Sequence, residues 1–208
     1  MKRAIACILS LVILLSAIPF QALAAENCAS KQDALFELAC EVFPEYTSII
    51  RKQVNTAEIA PFSDNANHIA FMETRKISDT ESLSIAQMTN GAVVVLKNNT
   101  SIFSIDYPDS SFANSSHGVS GSATFEVACN YAGCGTFNLS NVKFAIEYSG
   151  NDYFTSYGTA NPGSGVSVGS KTLSSTYMSY PITFKFSQTL SVTLELYFSN
   201  DQLVARIN

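Results

Sequence analysis

Alternation of apolar and polar residues dominates the second half of this 208-residue chain. The clearest example is the run from Val192 to Phe198, in which every second residue is aliphatic or aromatic and faces one side. A period of two predicts antiparallel strands with one face in a core and the other in water. The shorter runs at 125–127, 137–139, 142–148, 153–157, 182–186 and 203–207 are interpreted in the same way. We therefore predict an antiparallel β-sandwich over residues 122–208, with a β-barrel as the alternative closure.

A helical pattern followed by strands occupies residues 26–107. Apolar residues recur at three- and four-residue steps from Leu35 to Ile50, which predicts an amphipathic helix that Pro44 kinks or divides. Asn90-Gly91 favours a type I′ hairpin between two strand-like segments. The predicted strands cover 69–77, 81–88, 92–97 and 100–107. A helix packed on this antiparallel meander gives an α+β chain that is mainly β.

The composition of the chain changes around residues 108–121. Pro108–Gly118 is rich in Ser and Asn, and nine of the ten glycines follow His117. Such a stretch predicts a Ser-rich linker or a long loop between the helix-plus-meander part and the sandwich part.

Residues 1–24 have the features of a cleaved signal peptide. Lys2 and Arg3 precede an apolar run from Ala4 to Ile18, and Ala22-Leu23-Ala24 supplies the small residues of a cleavage site. The apolar run is shorter than the roughly 20 residues that a transmembrane helix needs. We therefore expect a secreted or extracytoplasmic protein with no membrane span after cleavage.

Acidic residues outnumber basic ones in the chain. The formal net charge is −5, and it becomes −7 when Lys2 and Arg3 leave with the signal peptide. Binding to nucleic acid requires clustered cations that displace counterions from phosphates. The charge balance therefore predicts no nucleic-acid partner.

Four cysteines follow the predicted signal peptide, and an even number in an oxidising compartment predicts disulfides. Cys129 and Cys134 flank the turn-forming stretch 130–133, so we expect these two to pair. Cys28 and Cys40 then pair by elimination, on one condition. A helix that began at Ser30 would place Cys40 about 15 Å from its start, too far to bridge, so the helix must begin near residue 33. The spacings match neither a zinc knuckle nor a thioredoxin-type pair, and we expect no metal and no cofactor.

No residue of the sequence is assigned a catalytic role. Gly165–Gly169 matches the G-x-S-x-G pattern of hydrolases, but neither a helical pattern nor a histidine follows it, so we interpret it as a flexible loop. His68 and His117 are interpreted as surface or linker residues. Solvated strand faces account for the outward acids that could otherwise form a glycosidase pair: Glu126, Glu147 and Glu195.

Tyrosines are the candidate binding residues of the sequence. A phenol combines a flat apolar ring with a hydrogen-bonding hydroxyl, so exposed rings on a sandwich suit glycan binding, while buried rings pack in the core. The candidates lie near predicted loops or strand ends: Tyr153, Tyr157, Tyr177 and Tyr180. The sequence therefore predicts a secreted, non-catalytic recognition or structural module that binds glycan or an extracellular protein. The alternative is a secreted hydrolase whose site the sequence does not reveal.

Overall fold

A computed structural model of the chain describes residues 19–52, 69–106, 116–147, 152–156, 159–163, 165–173, 177–185, 189–199 and 202–208. These residues form one long helix, two short helical turns and twelve strands in two antiparallel sheets. The helical elements are α1 (Pro19–Val42), a 3₁₀ turn (Pro44–Tyr46) and α2 (Thr47–Ile50). The prediction of a mainly β, α+β chain with an antiparallel sandwich is confirmed.

The larger sheet is an antiparallel meander. Its strands are β1 (Ile69–Lys76), β2 (Glu81–Met88), β3 (Val93–Asp106), β4 (Ser116–Cys129), β5 (Gly133–Glu147), β6 (Asp152–Ser156) and β7 (Thr159–Pro162). They lie in the order β1-β2-β3-β4-β5-β6, and β7 pairs with a second stretch of β5. β1 to β6 therefore lie side by side in the order in which they follow along the chain, whereas β7 lies beside β5.

This sheet continues across the segment where the sequence predicts a linker. β3 pairs with β4 from Val94 opposite Cys129 to Asp106 opposite Gly118. Residues 116–121 therefore belong to β4, and the strand expected at 100–107 is the second half of β3. Residues 107–115 lie outside the described residues. A Ser- and Gly-rich composition is typical of loops, but here the ladder to β3 holds part of it as a strand.

The smaller sheet is built from the last third of the chain. Its strands are β8 (Val166–Val168), β9 (Thr172–Leu173), β10 (Tyr177–Lys185), β11 (Thr189–Ser199) and β12 (Gln202–Ile207). They lie in the order β12-β11-β10-β8, and β9 pairs with the other end of β10. The G-x-S-x-G segment is thus a short strand paired with residues 182–184, and its interpretation as a flexible loop is wrong.

The hairpin between β2 and β3 forms where Asn90-Gly91 predicts it, but with a different turn. The N–H of Met88 donates to the carbonyl of Ala92, so three residues close the loop. Gly91 has a φ of +87°, whereas Asn90 does not have a positive φ. A type I′ turn needs positive φ at two successive residues, while a three-residue loop needs it only at the last. The predicted pairing is confirmed, and the predicted turn type is wrong.

The first part of β3, in the larger sheet, is buried on both faces. Val94 and Leu96 of β3 face the smaller sheet, whereas Val93 and Val95 face α1. A strand that is covered on both sides has a continuous apolar run instead of an alternating one. Full burial of each such side chain contributes about 1.5–3 kcal/mol. The molecule therefore has three layers, in the order helix, larger sheet and smaller sheet.

The apolar stripe of α1 packs on the larger sheet as the sequence predicts. Leu35 is buried in the helix-facing core, together with Ile50 of α2. α1 ends at Val42, and Pro44 opens the 3₁₀ turn as its first residue. Proline suits this position because a first-turn N–H has no helical partner to lose.

Arg75 of β1 fastens the C-terminal end of α1 to the edge of the sheet. Its Nη1 donates to the carbonyl of Val42 at 2.7 Å. The guanidinium also forms ion pairs with Glu45 and Glu73, and its Cζ lies 4.7 Å from the ring centroid of Phe43. One side chain thus satisfies a terminal helix carbonyl and covers an apolar ring.

A disulfide also fastens α1 to the larger sheet, and it is not one of the predicted bonds. Cys28 of α1 is bonded to Cys134 of β5, with 5.9 Å between their Cα atoms. The β4–β5 hairpin places Ala128 opposite Cys134 and Cys129 opposite Gly133. Residues on opposing strands that are offset by one position point to opposite faces of a sheet. The predicted bond between Cys129 and Cys134 is therefore wrong, because only Cys134 faces the helix.

The predicted bond between Cys28 and Cys40 is also wrong. Both cysteines lie on the continuous helix α1, which separates them by about 18 Å along its axis. Cys40 and Cys129 are buried free thiols on the two faces of the sheet. Burial raises the pKa of the Cys129 thiol to about 11, so this thiol stays protonated and unreactive at neutral pH.

We expect non-reducing peptide mapping to recover Cys28 linked to Cys134, with Cys40 and Cys129 as thiols. Replacing Cys28 and Cys134 together by alanine should lower the free energy of unfolding by roughly 2–5 kcal/mol, because the bond closes a long loop. Guanidinium titration measures the change, and reduced wild type serves as the control that should match the variant. A peptide linking Cys129 to Cys134 would contradict the pairing.

Hydrogen bonds from the larger sheet cover the edge strand β12 of the smaller sheet. Asn98 Nδ2 and Thr100 Oγ1 donate to the carbonyl of Leu203 at 2.7 and 3.0 Å. Ser84 Oγ donates to the carbonyl of Ala205 at 3.1 Å. All three side chains are buried. We call this group the polar seam, because it joins the two sheets along one side of the sandwich and occupies carbonyls on an edge strand.

Asn98→Ala should lower the free energy of unfolding by about 2 kcal/mol, because it removes a buried donor and leaves a cavity in the polar seam. Asn99→Ala is the matched control, since Asn99 is the adjacent residue and is exposed. It should change the unfolding free energy by less than about 0.5 kcal/mol. Chemical denaturation of both variants measures the difference, and equal losses would contradict the role of the seam.

Candidate functional site

The structure does not bring the four predicted tyrosines together. Tyr177 begins β10 and is 41% exposed, whereas Tyr180 is 3% exposed. An odd spacing along one strand sends their side chains to opposite faces of the smaller sheet. Tyr153 lies in β6 of the larger sheet, opposite Ala145, and Tyr157 lies outside the described residues. Of the four, Tyr177 is the ring that the described structure places at the surface.

Tyr180 packs in the core between the two sheets. Its ring centroid lies 6.0 Å from that of Phe137, in a tilted arrangement. Its hydroxyl is buried and has no hydrogen-bond partner among the described residues. Burial also raises the pKa of the Tyr180 phenol. This residue therefore acts in packing and takes no part in a surface site.

The residues considered for catalysis lie on separate elements. Ser167 of the G-x-S-x-G segment lies in β8, His117 lies in β4 opposite Ile146, and His68 lies outside the described residues. Within the described ranges, no group of three or more His, Cys, Asp or Glu side chains could hold a metal ion. Ser167 and His117 thus stand on different sheets.

Two tyrosines lie opposite each other on the outer face of the smaller sheet. Tyr177 of β10 lies directly opposite Tyr197 of β11. Directly opposite residues of an antiparallel pair share a face, with their Cβ atoms roughly 4.5–5.5 Å apart. We call this surface the tyrosine face and define it by Tyr177, Glu195, Tyr197, Arg206 and Asn208.

Glu195 and Arg206 form the next row of the tyrosine face. Glu195 of β11 lies between Ser179 of β10 and Arg206 of β12. Arg206 Nε and Nη2 lie 2.7 and 2.6 Å from Glu195 Oε2, and Asn208 Nδ2 donates to Oε1 at 2.6 Å. Both oxygens of the carboxylate therefore have partners, and the positive charge of Arg206 is balanced within the face.

Arg206 also connects this row to the rings. Its Cζ lies 5.6 Å from the ring centroid of Tyr197, within the range of a cation–π contact. The side chains of Arg206 and Glu195 are 46% and 14% exposed. An ion pair this accessible adds only about 0–1 kcal/mol to stability. Its larger effect is to hold ring, guanidinium and carboxylate in fixed positions, which lowers the entropy cost of binding a ligand.

Tyr197 and Arg206 are the site residues that the sequence reasoning missed. The alternation in β11 places Tyr197 outward, but its partner depends on the register with β10. A usable signal did exist for Arg206: the sequence Ser199-Asn200-Asp201-Gln202 is typical of a tight hairpin, and Ser199 does lie opposite Gln202. Counting outward from that pair places Arg206 opposite Glu195.

A second open surface lies on the larger sheet beyond α1. Asn99, Thr124 and Asn138 are exposed there and stand opposite one another on β3, β4 and β5. Lys97 and Glu126 form the adjacent row. We call these five residues the polar ledge. It offers amides, a hydroxyl and charged groups but no aromatic ring, so it differs in chemistry from the tyrosine face.

Comparisons with protein-family models, with curated proteins and with solved structures give no significant match. In the part of the chain that the structure describes, no helix has the length and apolar character needed to cross a bilayer. The function is therefore inferred from the chemistry of the tyrosine face itself.

Tyr180→Phe should raise the free energy of unfolding by about 1 kcal/mol, because it removes a buried hydroxyl without a partner among the described residues. Tyr177→Phe on the same strand is the matched control at an exposed position, and its effect should stay below about 0.5 kcal/mol. Urea denaturation followed by circular dichroism measures both. A loss of stability in Tyr180→Phe would show that the hydroxyl is bonded in the native state.

Proposed function

We propose that this chain is an exported, non-catalytic recognition module that binds glycan on the tyrosine face. The observation that supports it most is the cross-strand pair of Tyr177 and Tyr197 beside an ordered arginine, carboxylate and amide. A sugar ring has an apolar C–H face and a rim of hydroxyls. A phenol ring can cover the first, and neighbouring polar side chains can bond to the second.

The rigidity of the tyrosine face favours this role. Tyrosine supplies a large contact area while losing the freedom of only two side-chain torsions. Tyr197 is further held by Arg206, which is itself held by Glu195. All of these residues stand on paired strands and not on loops. A ligand therefore meets groups that are already in position.

Export of the chain is part of the same proposal. Residues 1–24 fit a cleaved signal peptide, and a disulfide such as Cys28–Cys134 is typical of oxidising compartments. α1 begins at Pro19, so cleavage after Ala24 would shorten it by its first residues. The disulfide and the buried stripe from Leu35 onward lie after that position and would remain.

Tyr177→Ala and Tyr197→Ala should each weaken binding to the best glycan by roughly tenfold, because each removes a stacking ring from the face. A glycan array with the wild type first identifies that glycan, and isothermal titration calorimetry then gives the dissociation constants. Binding by the double variant should fall below detection.

Thr124→Ala on the polar ledge is the control for these variants, because Thr124 is exposed on a different sheet. It should bind like the wild type, and melting curves should show all variants folded. Glycan binding that survives loss of both tyrosines, or no binding by the wild type to any array member, would refute the proposal.

A further inference from the structure

Arg206, the cation of the tyrosine face, is already paired with a carboxylate of the same face. The Nε and Nη2 of Arg206 both contact Glu195 Oε2, and Asn208 occupies Oε1. Glu195 thus takes two of the five N–H groups of Arg206, and the outer end of the guanidinium, formed by Nη1 and the second N–H of Nη2, faces away from this contact. The surface beside the rings is therefore polar, hydrogen-bonding and close to electrically neutral.

We infer that the glycan bound on this face is uncharged, and that Glu195 is the residue that excludes acidic glycans. This inference rests on the proposed function and adds to it the ligand class and the residue that sets it. Glu195 acts by pairing with the one cation of the tyrosine face, so that an acidic sugar finds no unbalanced partner there.

The geometry of the guanidinium supports the exclusion of carboxylates. Carboxylates bind arginine most strongly through two parallel N–H···O bonds. Glu195 takes the edge formed by Nε and Nη2, which leaves the end formed by Nη1 and Nη2 for a second carboxylate. There the acid of the ligand would lie close to Glu195, and the repulsion between the two anions weakens the attraction to the shared cation. The weakened attraction does not recover the cost of desolvating the charge of the ligand. A neutral hydroxyl accepts from Nη1 without this repulsion.

Short-range charge matters here more than the net charge of the chain. The chain carries a formal charge of −5, which disfavours anions at a distance, but physiological salt screens such effects beyond about 8 Å. The contact between Glu195 and Arg206 lies well inside that length. Exclusion should therefore persist at physiological salt and should depend on this one carboxylate.

Glu195→Gln tests the effect of the charge of Glu195 separately from the effect of its size and shape. Glutamine keeps the size of the side chain and an oxygen that accepts from Arg206, but it leaves the cation unbalanced. Glu126→Gln on the polar ledge is the matched control, because it changes the net charge equally and lies away from the tyrosine face. The double variant Glu195→Gln/Arg206→Gln removes the cation as well, and it tests whether any gain passes through Arg206.

The probe is an array that carries neutral oligosaccharides beside their uronic-acid or sialylated counterparts. We expect the wild type to prefer the neutral member of its best pair by at least about tenfold, with little change between roughly 0.05 and 0.5 M NaCl. Glu195→Gln should reduce that preference by about tenfold, in a salt-sensitive way. Glu126→Gln should keep the preference for the neutral glycan, and the double variant should regain that preference.

Three outcomes would overturn the inference. One is a wild type that prefers acidic glycans, and another is an equal effect of Glu195→Gln and Glu126→Gln. The third is a loss of preference in Glu195→Gln that persists in the double variant. Each of them leaves glycan binding on the tyrosine face intact, whereas absence of glycan binding, or indifference to loss of Tyr177 and Tyr197, would remove the proposed function itself.

Discussion

Burial of the first part of β3 on both faces is the constraint on which the rest of the structure depends. The run Val93–Leu96 in β3 alternates between two cores, so each face of the sheet needs a cover. α1 covers one face and is fastened within the helix by the Cys28–Cys134 bond and at its C-terminal end by Arg75. The smaller sheet covers the other face and is joined to it by the polar seam. This arrangement leaves the outer face of the smaller sheet open to solvent, and the tyrosine face lies there.

Strands with one face in water could be predicted from the sequence, because burial of only one face makes apolar and polar residues alternate along them. The run 192–198 shows this, and it became β11. Residues 116–121 show the limit of the method, because their Ser- and Gly-rich sequence has no clear alternation and they form a strand through pairing with β3 and β5. The pattern of residue types along one segment does not reveal hydrogen bonds between the backbones of distant segments.

Register explains the errors at the cysteines and the omissions at the site. A shift of one position reverses which face a side chain occupies, and that shift separates Cys129 from Cys134. For the same reason Tyr180, which lies three residues after Tyr177 on β10, points into the core, whereas Tyr177 points outward. The pairing of Tyr177 with Tyr197 depends on the register between β10 and β11, which residue types alone do not fix. The candidate rings could thus be named from sequence, but not their arrangement.

Because β3 contributes side chains to both cores, the two cores are coupled when the molecule unfolds. Val93 and Val95 project from the same backbone as Val94 and Leu96. That backbone cannot lose its order on one side and keep it on the other. Detachment of the helix layer would therefore weaken the sandwich as well, and the two cores are coupled into one cooperative unit.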